Sequence, residues 1–302
     1  MVMGAGAIGS LFGGYLSKAG NDVLLVGRKE HIQIINKNGL VIRNRTTIAV
    51  KPKGVDSIEQ VDGTFDVILL TVKAHDTEQA VYEIKDVVNS KTTVVLLQNG
   101  LGIEDFLPKS MGMPLRGVTM NGSLLLEPGQ ILHSGEGDTI IGEQNGTITP
   151  RLKTLAETLT NAGLNTKVTE DIKRAVWMKT VVNSAINPLG ALTGMKNGDL
   201  IQIPSLKRLM IKIVKEGMEA AEKSGVHLKE DPVDLTIKTA KLTSNNKNSM
   251  LQDILMNKKT EIEFINGAIA KYGRENQVAT PINDILTVLI QAIEHRNKKE
   301  TV

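Results

Sequence analysis

The chain has 302 residues, of which 41% are hydrophobic, 23% charged and 3% aromatic, and its formal net charge is +3. These values are typical of a globular protein with room for two domains, and so few aromatic residues argue against a nucleic-acid partner. The absence of cysteine excludes disulfides and a cysteine nucleophile. We expect no metal site, because the five histidines lack metal-ligand spacing, and no membrane association, because no apolar run approaches the ~20 residues of a span. A cytoplasmic location is expected.

A glycine-rich turn opens the chain and matches the pattern G-x-G-x-x-G. A helix follows it to about Gly20, and residues 22–26 predict a buried strand. In this order of elements the glycines let the backbone approach a pyrophosphate, and the helix N-terminus supplies N–H donors. The pattern predicts a dinucleotide site, although glycine clusters also make plain tight turns. The residues of the turn are Gly4, Ala5, Gly6, Ala7, Ile8 and Gly9.

The strand before this turn has little sequence available to it. Only Met1, Val2 and Met3 precede the first glycine, whereas strands usually run ~5 residues. We expect either an unusually short first strand or a native start that lies upstream of Met1.

The end of the second strand bears on the choice of cofactor. Gly27 is followed by Arg28 and Lys29, and no acidic residue stands where an NAD site usually holds the ribose 2′-hydroxyl. Arg28 and Lys29 are suited to bind a 2′-phosphate, which predicts NADPH. Glu30 lies close enough to keep NADH open, and ordinary solvated charges are the alternative for the two basic residues.

The rest of the first half alternates between strands and helices. A hairpin is expected over residues 39–50, and the buried runs 66–72 and 92–97 are of the parallel-sheet kind. Lys73 and Asn99 follow these runs, where ligands of such sheets bind, although they also suit a plain surface. Antiparallel strands are expected from Arg116 to residue 141, and then a helix from Pro150. This pattern predicts a dinucleotide-binding domain over residues 1–169.

Residues 170–302 predict a second, all-helical domain. Helices are expected after Asp171, over 204–224, 231–242 and 250–270, and from Pro281, with a charged frayed tail at 296–300. The predicted fold class is α/β, a Rossmann-type N-terminal domain followed by an all-helical C-terminal domain.

The first helix of this second domain carries a polar stripe. Lys179, Asn183 and Asn187 recur every four residues and therefore share one helix face, while the other faces are mostly apolar. A lysine with two amides suits a small oxygen-rich molecule, and the lysine is also able to give up a proton. The alternative is a solvated face on which Asn187 ends the helix before Pro188.

Six stretches of the chain resemble the ketopantoate reductase (2-dehydropantoate 2-reductase) family. The resemblance implies a Rossmann domain, a helical domain and an active site in the cleft between them. It also implies reduction of 2-dehydropantoate to (R)-pantoate, on the way to pantothenate and coenzyme A, typically with NADPH. The stretches are GAGAIGSLFGGYLSKAGNDVLLVGR, LLTVKAH, LLQNGLG, WMKTVVNSAINPLGALTG, KNGDL and SMLQDILMNKKTEIEFINGAI.

The resemblance also implies roles for single residues. Lys179 is similar to the family's general acid, and Glu261 to the acid associated with the substrate hydroxyl and the cofactor. Asn99 resembles an asparagine that contacts both cofactor and substrate, Ser249 a serine that meets the substrate carboxylate, and Lys73 a lysine near the nicotinamide. The amides that resemble the family's substrate-binding set are Asn183, Asn187 and Asn197.

Each of these residues also has a structural interpretation. Ser249 suits a helix cap, Glu261 an exposed helix charge and Asn197 a turn. At the level of the whole chain, the alternatives are a reductase of another 2-oxo acid, a dehydrogenase that oxidises hydroxy acids, and a non-catalytic dinucleotide-binding sensor. The apolar-rich helical domain also predicts a homodimer.

Overall fold

A computed structural model describes residues 1–300, and side chains are described for residues 1–297. The chain forms two compact units. The first consists of Met1–Gln98 and Ile103–Ile172, and the second of Asn99–Gly102 together with the chain from Lys173 onwards. The segment Asn99–Gly102 therefore belongs to the second unit although its neighbours in sequence belong to the first.

All strands over the described residues lie in the first unit. They are β1 (Val2–Met3), β2 (Leu24–Val26), β3 (Leu40–Arg43), β4 (Ile48–Val50), β5 (Lys53–Val55), β6 (Val67–Leu70), β7 (Thr93–Leu96), β8 (Leu115–Thr119), β9 (Gly122–Glu127), β10 (Gln130–Gly135), β11 (Thr139–Glu143) and β12 (Thr166–Val168).

The larger sheet has eight strands in the order β12-β11-β8-β7-β6-β1-β2-β5. Neighbours are parallel except for β8 and β11, which are antiparallel. The first strand has only two residues, yet it lies near the middle of the sheet, where Val2 pairs with both Leu25 and Leu69. Of the two expected alternatives, the unusually short first strand is observed, and Val2 and Met3 are both in the core.

The smaller sheet has the order β4-β3-β10-β9. The predicted hairpin is present as antiparallel β3 and β4, but the purely antiparallel arrangement expected after Arg116 is wrong. β8 pairs in parallel with β7, and β10 pairs in parallel with β3. The short strand β5 was not predicted, because Lys53–Val55 carries a glycine and almost no apolar alternation.

Four helices of the first unit pack on these sheets. Their apolar faces complete one core with the strands, in which Leu11, Phe12, Leu25 and Leu159 are fully or almost fully buried. The helices of the first unit are α1 (Ala7–Lys18), α2 (Lys29–Asn38), α3 (Thr77–Ile84) and α4 (Pro150–Asn161), with 3-10 turns at Ile58–Gln60, Ala74–Asp76, Glu104–Phe106 and Lys109–Met111.

From Ile172 to residue 300 every regular element is a helix, as predicted for the C-terminal domain. No helix among the described residues is both long enough and apolar enough to cross a bilayer. The helices are α5 (Ile172–Thr193), α6 (Asn197–Gln202), α7 (Pro204–Lys223), α8 (Pro232–Leu242), α9 (Ser249–Leu255), α10 (Asn266–Glu275) and α11 (Pro281–Glu300), with a 3-10 turn at Ile262–Phe264.

Two expectations about this unit are wrong. Residues 250–270 do not form one helix, because α9 ends at Leu255 and Asn257 then adopts a positive φ of 53°. The segment 296–300 is not a frayed tail, since it lies within α11. Asn297 is buried there, and its Nδ2 donates a hydrogen bond to the carbonyl oxygen of Ile254 at 3.2 Å, which holds the last turns in place.

Candidate active site

The glycine turn is held in place largely by backbone hydrogen bonds. The N–H groups of Gly4 and Ala5 both donate to the carbonyl oxygen of Val26, at 3.0 and 2.7 Å. Thr71 Oγ1 donates to the carbonyl oxygen of Gly4 at 2.8 Å. Gly4 has a φ of +107°, which side-chain-bearing residues rarely adopt. The turn is therefore fixed between the ends of β2 and β6.

Close approach explains two further glycines. A Cβ at Gly9 would lie 2.1 Å from the carbonyl oxygen of Gly4, and a Cβ at Gly27 would lie 2.7 Å from the Cβ of Ala5. Gly6 differs, because the nearest atom to its added Cβ would be 4.0 Å away. The open side of the turn therefore lies at Gly6, which is also the N-cap residue of α1.

The N-terminus of α1 suits an anion. No side chain caps it, and its first turn contains no acidic residue. The first N–H groups of a helix carry a partial positive charge and need acceptors, which a diphosphate provides. The residues present at this turn, including Ala7 and Ile8, therefore fit the pyrophosphate of a dinucleotide.

A buried histidine supports the turn from behind. The N–H of Gly129 donates to Nδ1 of His31 at 3.0 Å, so the proton of the neutral ring lies on Nε2. Nε2 is 3.0 Å from Ser10 Oγ, and Ser10 Oγ donates to the carbonyl oxygen of Ala5. Burial lowers the pKa of His31, which favours this neutral form. The chain of hydrogen bonds ends on the glycine turn itself.

The remaining predicted residues of the first unit flank its parallel strands. Arg28 is exposed, lies two residues after the end of β2 and is the N-cap residue of α2, whose first turn includes Glu30. Lys73 is half-buried and follows β6 as the N-cap residue of the turn Ala74–Asp76. No cluster of three metal-ligating side chains occurs among the described residues.

In the second unit, α5 carries the predicted polar stripe. Lys179 and Asn183 are half-buried, whereas Asn187 is only 4% exposed. The alternative in which the helix ends before Pro188 is wrong, since α5 continues to Thr193. The solvated-face alternative also fails for Asn187, because an almost completely buried amide is not a surface group.

A buried amide compensates for Pro188 within the helix. Proline has no N–H, so the carbonyl oxygen of Ser184 lacks the donor that residue 188 would normally supply. Nδ2 of Asn266, on α10, donates to this oxygen at 2.9 Å and to Asn283 Oδ1 at the same distance. The bond to Ser184 lets α5 pass through the proline with its carbonyl groups satisfied.

Two predicted residues far apart in sequence are in direct contact. Asn99 Nδ2 donates to Glu261 Oε2 at 3.0 Å, across 162 positions. The N–H of Leu101 donates to the carbonyl oxygen of Phe264, and Gly100 has a φ of +102° with no room for a Cβ against Phe264. Glu261 is 5% exposed and precedes a 3-10 turn, so the interpretation as an exposed helix charge is wrong.

The other two predicted substrate residues begin helices. Asn197 is buried and begins α6, where its Nδ2 donates to Thr243 Oγ1 at 2.9 Å. Ser249 is exposed and begins α9, but the cap of that helix is Asn248, whose Oδ1 accepts from the N–H of Leu251 at 3.0 Å. The helix-cap interpretation therefore applies to the residue before Ser249.

Two polar residues of this region were missed by the sequence analysis. Asn248 was identifiable as a cap, because an asparagine directly precedes an apolar helical run. Asn266 gave no comparable signal, since its role depends on a proline located 78 positions earlier in the chain.

Comparison with known proteins assigns the family. The model of the ketopantoate reductase PanE/ApbA family matches residues 1–146, and the model of its C-terminal part matches residues 171–294. The chain belongs to the ketopantoate reductase family. The resemblance noted from the sequence and the predicted α/β fold are thereby confirmed.

Relatives in this family match almost the whole chain. A 2-dehydropantoate 2-reductase of Pyrococcus horikoshii is 42% identical and covers 97% of this chain and 96% of its own. One of Archaeoglobus fulgidus is 36% identical, with 97% of both chains covered.

Solved structures show the same architecture. A ketopantoate reductase from Ralstonia eutropha is 28% identical with a TM-score of 0.91, covering 99% of this chain and 100% of its own. D-mandelate dehydrogenase with NADH and anilino(oxo)acetate is 30% identical with the same score of 0.91 and the same coverage of 99% and 100%. Ketopantoate reductases and a hydroxy-acid dehydrogenase thus share this fold.

Proposed function

We propose that this chain is a 2-dehydropantoate 2-reductase, which reduces ketopantoate to (R)-pantoate with NADPH. The family match over both units supports the reaction. The observation that carries the proposal is the 3.0 Å hydrogen bond between Asn99 and Glu261, because it brings together an amide and a carboxylate to which the family resemblance gives cofactor and substrate roles.

The proposed chemistry needs one proton donor and several hydrogen-bond donors. When bound, NADPH would supply a hydride to C2 of the substrate. As the C2–H bond forms and the carbonyl π bond breaks, negative charge develops on the ketone oxygen, and Lys179 transfers a proton to it. An ammonium group and amide N–H donors stabilise that oxygen more in the transition state than in the ground state.

The other side chains are assigned to binding and orientation. We assign Asn183, half-buried one turn from Lys179, to the substrate oxygens, with Asn187 and Asn197 in support. Ser249 is assigned to the substrate carboxylate, which suits an exposed hydroxyl at the first turn of a helix. Glu261 and Asn99 orient the substrate hydroxyl and the cofactor.

The cofactor assignment to NADPH depends on Arg28. Its exposed side chain at the end of β2 is suited to pair with a 2′-phosphate, and Lys73 is assigned to the nicotinamide end. NADH is the alternative cofactor, because the similar D-mandelate dehydrogenase was solved with NADH. Comparing kcat/KM for NADPH and NADH in the wild type and in Arg28→Ala tests the assignment, with Arg43→Ala on β3 as the control.

A second candidate is the reduction of another 2-oxo acid. The D-mandelate dehydrogenase similarity favours it specifically, since that protein is as similar in fold as the ketopantoate reductase from Ralstonia eutropha. The proposed function further divides the chain into a cofactor domain, residues 1–169, and a substrate domain, residues 170–302.

The decisive experiment follows the absorbance of NADPH or NADH with ketopantoate and with phenylglyoxylate as substrates. Turnover of ketopantoate that exceeds both phenylglyoxylate turnover and the Lys179→Ala background supports the proposal. Preference for phenylglyoxylate establishes the second candidate, and cofactor binding without any turnover indicates a sensor.

We also propose a homodimer. Ile285, Val288 and Leu289 lie three and four residues apart on α11, and all three are exposed, which gives the helix an apolar outer face. Light scattering of the wild type and of Val288→Glu tests this assembly. A monomeric wild type contradicts it.

A further inference from the structure

Asn248 connects three segments of the second unit through its side chain. Its Nδ2 donates to the carbonyl oxygen of Ile186 at 3.1 Å and to Asn197 Oδ1 at 3.4 Å. Its Oδ1 accepts from the N–H of Leu251 at 3.0 Å. The side chain is buried, so these bonds are shielded from competition with water.

The three segments carry four of the proposed substrate residues, Asn183, Asn187, Asn197 and Ser249. Ile186 lies on α5 between Asn183 and Asn187, Asn197 is bonded directly, and the helix capped by Asn248 begins with Ser249. We propose that Asn248 is a positioning residue that fixes these groups relative to one another for substrate binding. The inference rests on the proposed function for the identity of the substrate, but the connection itself is a property of the fold.

The contact between Asn248 and α5 requires a glycine. A Cβ at Gly190 would lie 2.1 Å from Asn248 Nδ2, closer than any non-bonded contact allows. Gly190 lies inside α5, where glycine is a less favourable residue than alanine. The space that this glycine leaves is occupied by the amide, which explains why a poor helix former stands there.

The chemistry of the site selects asparagine in particular. One end of the amide must donate to two oxygen atoms while the other accepts from a helix N–H. Aspartate keeps the acceptor but directs a carboxylate oxygen at two other oxygen atoms. Serine caps a helix equally well but is too short to reach Ile186.

Kinetics of Asn248→Ser provides the test. This variant keeps the cap of α9 and loses the connection to α5 and Asn197, so we expect KM for ketopantoate to rise about tenfold, the equivalent of one hydrogen bond, with the affinity for NADPH unchanged. The matched control is Asp231→Ala, which removes the side-chain cap of α8 and should leave KM unchanged.

A double-mutant cycle with Gly190→Ala separates positioning from general destabilisation. Gly190→Ala alone should raise KM by displacing Asn248, whereas adding it to Asn248→Ser should raise KM no further, because the shorter side chain leaves room for the methyl group. Independent, multiplicative effects of the two substitutions on KM overturn the inference. An unchanged KM in Asn248→Ser overturns it as well.

Hydrogen exchange tests the connection without any turnover. Amides of residues 186, 187 and 189–193 should exchange faster in Asn248→Ser than in Asp231→Ala, and equal protection in the two variants refutes the inference. If the wild type reduces no ketopantoate, the proposed function fails, while the exchange comparison still decides whether Asn248 holds α5.

Discussion

The glycine turn of the first unit and the polar stripe of α5 in the second are held in place by different kinds of bond. Backbone groups of neighbouring strands hold the turn, with Gly4 and Ala5 both bonded to the carbonyl oxygen of Val26. Side-chain amides hold α5, since Asn248 and Asn266 reach its carbonyl groups across 62 and 82 positions.

This difference determines how each region tolerates change. A turn fixed by backbone bonds is sensitive to added side-chain volume, because Gly4 and Gly9 leave no room for a Cβ. A helix fixed by distant amides is sensitive to the loss of single donors, since each buried carbonyl left without a partner costs about 1–3 kcal/mol. The next four predictions examine this contrast from the largest expected effect to the smallest.

Lys179→Ala should reduce kcat for ketopantoate about a thousandfold, because a positioned proton donor contributes about 10²–10⁴ in rate. The substitution should affect only the proton-transfer step, so the NADPH affinity and the melting temperature should change little. The control is Lys173→Ala, an exposed lysine on the same helix. Steady-state kinetics that show equal activity in the two variants contradict the assignment of Lys179.

Gly6→Ala should weaken NADPH binding about a hundredfold with little change in melting temperature. The added methyl group comes no closer than 4.0 Å to the carbonyl oxygen of Gly4, its nearest neighbour, but it occupies the open side of the turn where the diphosphate would approach. Gly13→Ala should instead lower the melting temperature with little change in NADPH affinity, since its Cβ would lie 2.4 Å from Leu25 Cδ2 in the core. Calorimetric titration with NADPH and thermal unfolding are measured for both variants. Equal changes in affinity and in melting temperature for the two variants would contradict the prediction.

Asn266→Ala should lower the free energy of unfolding by about 2 kcal/mol, because it leaves the carbonyl oxygen of Ser184 without its donor. In a Pro188→Ala background the N–H of residue 188 satisfies that oxygen, so the same substitution should cost about half as much. Denaturant unfolding of the four proteins measures the coupling. Identical costs in both backgrounds would show that Asn266 does not compensate for the proline.

Low pH should destabilise the folded chain through His31, which supports the glycine turn. Its pKa is lowered in the folded chain, so below about pH 6.5 the unfolded chain binds a proton that the folded chain does not. The free energy of unfolding therefore falls as pH drops below 6.5, by at most about 1.4 kcal/mol per pH unit for this group, and is fully present above it. His31→Gln should flatten this slope in denaturant titrations, whereas His295→Gln, exposed on α11, should retain it.

Sequence reasoning succeeded where a structural feature depends on local pattern. The turn from Gly4 to Gly9, the buried strands and the spacing of Lys179 and Asn183 are all readable because each follows from residues close together in the chain. It failed at Pro188, where the local rule predicts an end to the helix and a distant amide from Asn266 reverses the outcome.

The proposed roles of Glu261, Ser249 and Asn197 rest on the family resemblance alone. Without it, Glu261 fits a continuous helix, and nothing in its surroundings in the sequence indicates the break after Leu255 or the contact with Asn99. Asn248 was readable as a cap, but its second role depends on the absence of a side chain at Gly190. Contacts of this kind depend on tertiary packing, which the order of residues in one segment does not encode.

The segment Asn99–Gly102 makes the second unit discontinuous in sequence. The chain changes units at three junctions, so a fragment that ends near residue 169 would carry Asn99 and Leu101 without the partners that Glu261 and Phe264 provide. A chimera that exchanges the helical part between two relatives would need to transfer these four residues as well. Recombination at a single point between residues 102 and 261 would combine Asn99 from one relative with Glu261 from the other.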